Sequence, residues 1–353
     1  MKRKANFTLL VIFLFLMALG TVFVFTSSWY LAYVNQKPIY YFLLKHLLKV
    51  GLALVVFFLG FSIPPETLGK YRNHLMALSI ILLIAVLVLP SPIAPKIGGA
   101  RRWLNLMVMK FQVSELFKLA TIIFLSFNAR NMKETDKFLT YMLVVFAGVG
   151  LILIEPNVST AFLISLIAIG TAFYAGASIS ILTTMGALAA SALALAISIF
   201  PHARSRLLSD GIHYQVQQSL AGLTHGGLLG VGLGKGVEKF LYLPDAHTDF
   251  IFSIIGEELG FVGASMVIAA VLIIIFIGFK IAARLYKKDI VLSTLAFAIT
   301  LNFAIYSLGH ISVVVGLFPP TGIPMPFISY GGSNLLVNSF MMGILLNLSR
   351  EVP

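Results

Sequence analysis

Residues 242–260 read Tyr-Leu-Pro-Asp-Ala-His-Thr-Asp-Phe-Ile-Phe-Ser-Ile-Ile-Gly-Glu-Glu-Leu-Gly and hold five titratable groups, Asp245, His247, Asp249, Glu257 and Glu258. They stand where a long polar segment turns into an apolar run. A carboxylate kept at the edge of hydrocarbon is costly unless it is paired or used, so each is a candidate for chemistry. Asp249 is the best placed for a general base. The pattern starts a helix there, the helix dipole favours the ionised form, and His247 and Phe250 stand close by in sequence. Capping of that helix by Asp249 or Thr248 explains the position equally well.

Glu115 and Lys118 lie three apart in an apolar run, on one helical face, where they can pair. The pair could serve structure or chemistry. Arg101 and Arg102 follow Gly99-Ala100 and precede Trp103, a setting that suits fork-shaped recognition of phosphate. Snorkelling to lipid head groups is the bland alternative.

The glycine-rich run 226–236 fails as a nucleotide loop. A phosphate-binding loop needs glycine where Leu229 stands and Ser or Thr where Gly236 stands, and the dinucleotide pattern breaks at Val237. Its glycines are read instead as a closely packed backbone that could present N–H groups to an anion. The seven histidines include no His-x-x-x-His pair, so no metal site is assigned.

The elements that must position these groups are membrane spans. Of 353 residues, 59% are hydrophobic and 11% charged, against about 25% charged in a soluble domain. Apolar runs of ~20 residues without alternation predict an all-α integral membrane protein rather than a barrel. About ten spans are expected, near 7–26, 42–63, 74–89, 108–127, 138–154, 160–174, 179–200, 249–283, 290–315 and 334–348. They form a single polytopic domain, residues 1–353. Residues 201–248 make one long extracytoplasmic loop between the seventh and eighth spans. A Pro/Gly-rich segment, 316–333, looks re-entrant.

Placing both termini and the loops after even-numbered spans together collects Lys2, Arg3, Lys4, Lys70, Arg72, Arg130, Lys133, Lys137, Lys280, Arg284, Lys287, Lys288 and Arg350 on one side. Short loops rich in Lys and Arg mark that side as cytoplasmic, with both termini inside. Spans explain the net charge of +12 without nucleic acid. Arg101, Arg102, Arg204, Arg206, Lys235 and Lys239 then face outward against the usual bias. Outward acidic candidates are Glu115, Glu155, Asp210, Glu238, Asp245, Asp249, Glu257 and Glu258. The chain has no cysteine, which leaves the redox compartment unread.

Seven motifs, taken in order, resemble the SEDS family of shape, elongation, division and sporulation proteins. They are Gly99-Ala-Arg-Arg-Trp103, Gln112-Val-Ser-Glu-Leu-Phe-Lys118, Glu155-Pro-Asn157, Tyr214-Gln-Val-Gln-Gln-Ser-Leu220, the glycine run 226–234, Leu243-Pro-Asp-Ala-His-Thr-Asp-Phe-Ile-Phe252, and Gly322-Ile-Pro-Met-Pro-Phe-Ile-Ser-Tyr-Gly-Gly-Ser333. Val113 stands where the family has proline, and Asn157 where it has aspartate, so Asn157 receives no role.

The resemblance implies a peptidoglycan glycosyltransferase that polymerises lipid II at the outer face of the bacterial cytoplasmic membrane, in division or cell-shape maintenance. It implies Asp249 as catalytic base, and Arg101, Arg102, Glu115, Lys118, His247, Ser329 and Tyr330 as substrate-binding residues. Undecaprenyl diphosphate would be the leaving group, with a divalent cation, Mg or Mn, as a helper that no ligand cluster demands. The implied partners are lipid II, a class B penicillin-binding protein that crosslinks the product, other membrane proteins of the division or elongation complex, and membrane lipids, with no nucleic acid. A lipid II flippase and a non-catalytic scaffold are the competing readings.

Overall fold

The computed structural model describes residues 5–97, 99–106, 109–199 and 213–352. Lys2, Arg3, Lys4, Gly98, Val108, Arg204, Arg206 and Asp210 lie outside the described residues. Helix α1 spans Phe7–Val34, with the Asn6 side chain accepting from Leu9 N as its cap. Helix α2 is Tyr41–Ser62, and α3, Pro65–Val88, opens with proline at its first position, where a missing N–H costs nothing.

Two small hairpins follow: β1 Lys96–Ile97 with β2 Ala100–Arg101, and β3 Trp103–Asn105 with β4 Lys110–Gln112, Trp103 opposite Gln112. The fourth span therefore begins at Val113 and not near 108. Helix α4, Val113–Phe127, is buried along almost its whole length. Then come α5 Thr135–Ile154, α6 Val158–Tyr174 and α7 Ile179–Ile199. The long loop carries a short helix of its own, α8 Tyr214–Gly226. The chain closes with α9 Ile251–Tyr286, α10 Ile290–Val314 and α11 Gly332–Leu348.

Seven of these, α1, α2, α3, α5, α7, α9 and α10, are long and apolar enough to cross a membrane. The shorter apolar α6 and α11 and the interior α4 bring the described helices of the bundle to the expected ten. One core gathers around α1, α9, α10 and α11, and a second around α3 to α7. Asn6 N donates to Ser349 Oγ at 3.0 Å, which puts the two chain ends on one face. Between α2 and α11 the backbones nearly touch. A Cβ at Gly60 would strike Phe340 O, and one at Gly343 would strike Phe57 O, so small residues set this helix pair.

The eighth span differs from expectation. Residues 243–250 are a series of turns, the helix starts at Ile251, and its cap position is Phe250, not Thr248 or Asp249. It breaks after one short segment, because Gly260 adopts φ 68° and ψ −167°, a conformation open essentially to glycine alone. The break frees the carbonyls of Glu257 and Glu258. Val231 N and Gly232 N take them at 3.0 and 3.1 Å, while Phe261 N donates to Gly227 O at 2.8 Å. A glycine kink at membrane depth is tolerated here because the loop supplies each missing partner.

A side chain at residue 260 would collide with Gly230 N and Leu228 O, so the close approach and the positive φ both demand glycine. Gly260→Ala should lower the thermal midpoint of the detergent-solubilised protein by several degrees, on the order of 2 kcal/mol. Gly51→Ala, with open space around it, should leave the midpoint unchanged or raise it. Equal midpoints for the two variants would refute the account.

Candidate active site

The face opposite the chain ends is built in two tiers. The lower tier is the glycine-rich loop. Its N–H groups do meet an anion, but the anion belongs to the chain itself. Gly234 N donates to Glu258 Oε2 at 2.8 Å, Val237 N to Glu257 Oε1 at 2.7 Å and Glu238 N to Glu257 Oε2 at 3.3 Å. Lys239 Nζ meets Glu258 Oε1 at 2.9 Å with both side chains fully buried, and His225 Nδ1 lies 3.0 Å from Glu257 Oε1. Two of the five titratable groups first singled out are thus spent on holding the loop to α9.

The upper tier carries Asp249. The segment 316–331 packs over it, anchored by the His310 imidazole at 2.8 Å from Ile323 O. Ser329 Oγ accepts from Met325 N at 2.8 Å and donates to Thr248 O at 2.6 Å. Tyr330 N donates to His247 O at 3.0 Å. These bonds fasten the backbone just ahead of Asp249. The Asp249 carboxylate is half-buried and lies against Gly322, where a Cβ would sit 3.5 Å from Oδ2.

The ring of Tyr330 forms one wall. It touches His247 at 5.4 Å and Phe42 at 5.8 Å between centroids, and Lys49 Nζ stands 3.4 Å from its centre. His247 is buried, and burial first, then the Lys49 charge, pull its imidazole down to about 4. It is therefore neutral at physiological pH and packs as part of the wall, against Phe42 and Tyr330. Lys49 was not singled out by its sequence as a site residue. The only signal was Lys45 and Lys49 sharing a face near the start of an apolar span.

Glu115 and Lys118 form a buried ion pair at 2.7 Å in the first turns of α4. Lys118 Nζ also sits 3.9 Å from the centre of the Tyr306 ring, and Asn334 Nδ2 donates to Glu115 Oε1 at 3.4 Å. Gln112 N donates to Ser333 Oγ at 2.8 Å, joining the start of α4 to the start of α11. Gly332, next in the chain after Gly331, lies against the Lys49 stem. The 330–334 stretch thus links Lys49 and Tyr330 to the Glu115–Lys118 pair.

Arg101 and Arg102 sit on the hairpins beside this centre. Arg101 Nη1 donates to Leu89 O at 3.2 Å, at the end of α3. Arg102 lies near Glu155 at the corner between α5 and α6. Burial drives the Glu155 carboxyl up to about 8, against a smaller opposing pull from Arg102. Both Glu155 oxygens and the Asn157 amide nitrogen are buried without a hydrogen-bond partner. Among the described residues, no three His, Asp or Glu side chains gather as a metal site.

The family model for FtsW, RodA and SpoVE, described as cell cycle proteins, matches residues 7–353. The chain is 34% identical over 350 residues to the probable peptidoglycan glycosyltransferase FtsW of Coxiella burnetii, covering 95% of this chain and 94% of that one. It is 32% identical over 369 residues to stage V sporulation protein E of Bacillus subtilis, covering 99% and 98%. A chain from a solved peptidoglycan synthase complex that coordinates polymerization and crosslinking has the same fold, with TM-score 0.75, 24% identity and 98% coverage of both chains.

The Glu155 carboxyl binds its proton more tightly in the folded chain than at its ordinary value of 4.5, so folding is favoured at low pH. That contribution fades as pH rises from about 5 through about 8. Glu155→Gln should flatten the fall in thermal midpoint across this window and exceed the wild type above pH 8. Parallel pH curves for the two proteins would show that Glu155 does not carry the effect.

Proposed function

This chain belongs to the FtsW/RodA/SpoVE family of cell cycle proteins and is a multi-pass membrane peptidoglycan glycosyltransferase, and we propose that it polymerises lipid II with Asp249 as general base. Supporting this is the way Ser329 and Tyr330 hold the turn ahead of one half-buried carboxylate, with Lys49 on the Tyr330 ring and the Glu115–Lys118 pair joined to the same segment through Asn334.

Converting an α-linked sugar diphosphate into a β-linked glycan inverts the anomeric carbon in one displacement. One base suffices, with no second carboxylate as nucleophile. Asp249 accepts the proton of the acceptor hydroxyl as its oxygen bonds to the donor's anomeric carbon. The carbon–oxygen bond to the diphosphate breaks, and undecaprenyl diphosphate leaves with the electron pair. Its negative charge needs cations, not a protonating acid. Lys49 and Lys118 supply them, Glu115 orients Lys118, and Arg101 and Arg102 extend the positive rim across the hairpins. Among the described residues no set of three ligands gathers, so Mg or Mn would add charge here together with oxygens from the substrate.

The buried charged residues argue against a route through the membrane. Glu115, Lys118, Glu155, Glu238, Lys239, Glu257 and Glu258 are the buried acidic and basic side chains among the described residues, and all lie toward the face away from the chain ends. We assign that face to the outside of a bacterial cytoplasmic membrane, with both termini in the cytoplasm, from the distribution of Lys and Arg. The crosslinking partner is a class B penicillin-binding protein, within a division or elongation complex.

With lipid II and a cognate transpeptidase, the purified protein should make glycan strands. Asp249→Asn and Asp249→Ala should each cut polymerisation on the order of 100-fold or more, with the fold and the partner complex intact. Near-native polymer from both variants would remove Asp249 as the base. In the same assay Lys118→Ala and Lys49→Ala should each lose about ten-fold or more. Lys137→Ala, whose exposed side chain pairs with Glu134 on the opposite face, should lose nothing. Equal activity of the Lys118 and Lys137 variants would leave Lys118 a packing residue.

A further inference from the structure

On the face that carries the chain ends, a cavity of about 410 Å³ opens between the start of α1, the last turns of α9 and the residues after α11. It is lined by Asn6, Phe276, Ile277, Lys280, Ile281, Arg284, Ser349 and Val352. We propose that it binds the head group of an anionic glycerophospholipid from the surrounding leaflet.

The charge comes from Lys280 and Arg284, four apart and so neighbours on one face of α9. Neither has a carboxylate partner among the described residues. Three acidic groups of this face are engaged elsewhere, Asp289 with Arg130 at 3.4 Å, Glu351 with Lys288 at 3.3 Å and Glu134 with Lys137 at 2.8 Å, and the other two, Glu66 and Asp136, stand on the first turns of α3 and α5 and form no ion pair with Lys280 or Arg284. Two exposed basic groups beside a cavity, with no acidic partner among the described residues, are placed to take an anionic ligand. Arginine offers a planar fork that matches two phosphate oxygens, and lysine adds a mobile point charge.

The polar neighbours narrow the choice further. Ser349 Oγ is already used, accepting from Asn6 N and donating to Leu346 O. The Asn6 side chain spends its oxygen on Leu9 N, leaving its amide N–H₂ available as a donor at the cavity's edge. A phosphate diester with a glycerol hydroxyl offers acceptors for all three groups.

The rest of the lining is apolar, which sets a lipid apart from a free anion or an acidic peptide. Phe276 is 67% exposed, and Leu272 and Ile273 continue the exposed apolar strip along α9, away from the end of the helix. Lys280 lies six residues before the end of α9, about 9 Å up the helix axis. Its ammonium stands 5.8 Å from the centre of the Phe276 ring, one turn further from that end. Arg284, two residues before the helix end, then stands at head-group depth, Lys280 at the boundary and the strip at acyl-chain depth, the arrangement expected of a basic pocket between spans. A lipid seated there would tie the two chain ends to α9 and stabilise the fold by mass action.

The test uses the full-length protein, delipidated in a mild detergent, and dioleoyl-phosphatidylglycerol against dioleoyl-phosphatidylcholine. Native mass spectrometry reads the bound lipid, and thermal midpoints read the stabilisation. The wild type should retain one phosphatidylglycerol about ten-fold more tightly than phosphatidylcholine, with a raised midpoint. Lys280→Ala/Arg284→Ala should lose that preference. Lys70→Ala/Lys133→Ala, which removes the same charge from exposed sites elsewhere on this face, should keep it. The milder Lys280→Gln and Arg284→Gln variants, each with a wild-type midpoint in phosphatidylcholine, should each weaken the preference. An undiminished preference in the Lys280/Arg284 variants would overturn the site. Equal stabilisation by inorganic phosphate or glycerol 3-phosphate would overturn its assignment to a lipid.

Discussion

An apolar bundle can hold broken backbone and charge only where each lost hydrogen bond is replaced from nearby, and this constraint governs the face that carries Asp249. Its clearest expression is the junction at Gly260. The helix stops, two carbonyls lose their helical donors, and the glycine-rich loop brings N–H groups to them. The same loop brings Gly234, Val237 and Glu238 N–H groups and the Lys239 ammonium to the carboxylates of Glu257 and Glu258. Glycine is required on both sides because the backbones meet with no room for a Cβ at Gly226, Gly230 or Gly260.

That junction gives Asp249 a rigid base, and the 316–331 segment gives it a fixed approach. Ser329 and Tyr330 bond to the carbonyls of Thr248 and His247, the two residues ahead of Asp249, so the carboxylate is aimed by its own backbone. The contrast with His247 is instructive. Both lie in the same turn, but the imidazole is packed between Phe42 and Tyr330 and held neutral, while the carboxylate is half-exposed. Of the two, the carboxylate is the one open to an incoming hydroxyl.

Much of this was legible in the sequence because the signals were strong and local. Long apolar runs gave the helices, Lys and Arg spacing put the chain ends together, and the three-residue interval of Glu115 and Lys118 gave their pair. What escaped depended on tertiary context. Gly260 reads as one more small residue in a span, and its break is visible only when Gly230 arrives beside it. The glycine run was read as a waiting anion cradle, whereas its anions are 20 or so residues further along the same chain. Arg102 and Glu155 gave no pairing signal across the intervening helices. Lys49 was hidden by its apolar neighbours, since nothing local announces that the face it shares with Lys45 turns toward Tyr330.

The distribution of buried charge bears on mechanism more directly than any single contact. A carrier for a charged head group must offer polar partners along its whole path, because an unsolvated diphosphate in hydrocarbon is far costlier than any conformational step. Below Lys118 the described interior offers neutral groups only, such as Tyr306 and the Asn302–Asn338 pair at 2.9 Å. These can order a helix interface, yet they cannot balance two phosphate charges. The cations that could do so stop at the level of the first turns of α4 and α2, which is also where Asp249 and its supporting segment lie. A site with its charges gathered at one rim and none beneath is suited to holding a lipid-linked substrate in place while a sugar bond forms, with the prenyl chain left in the bilayer throughout.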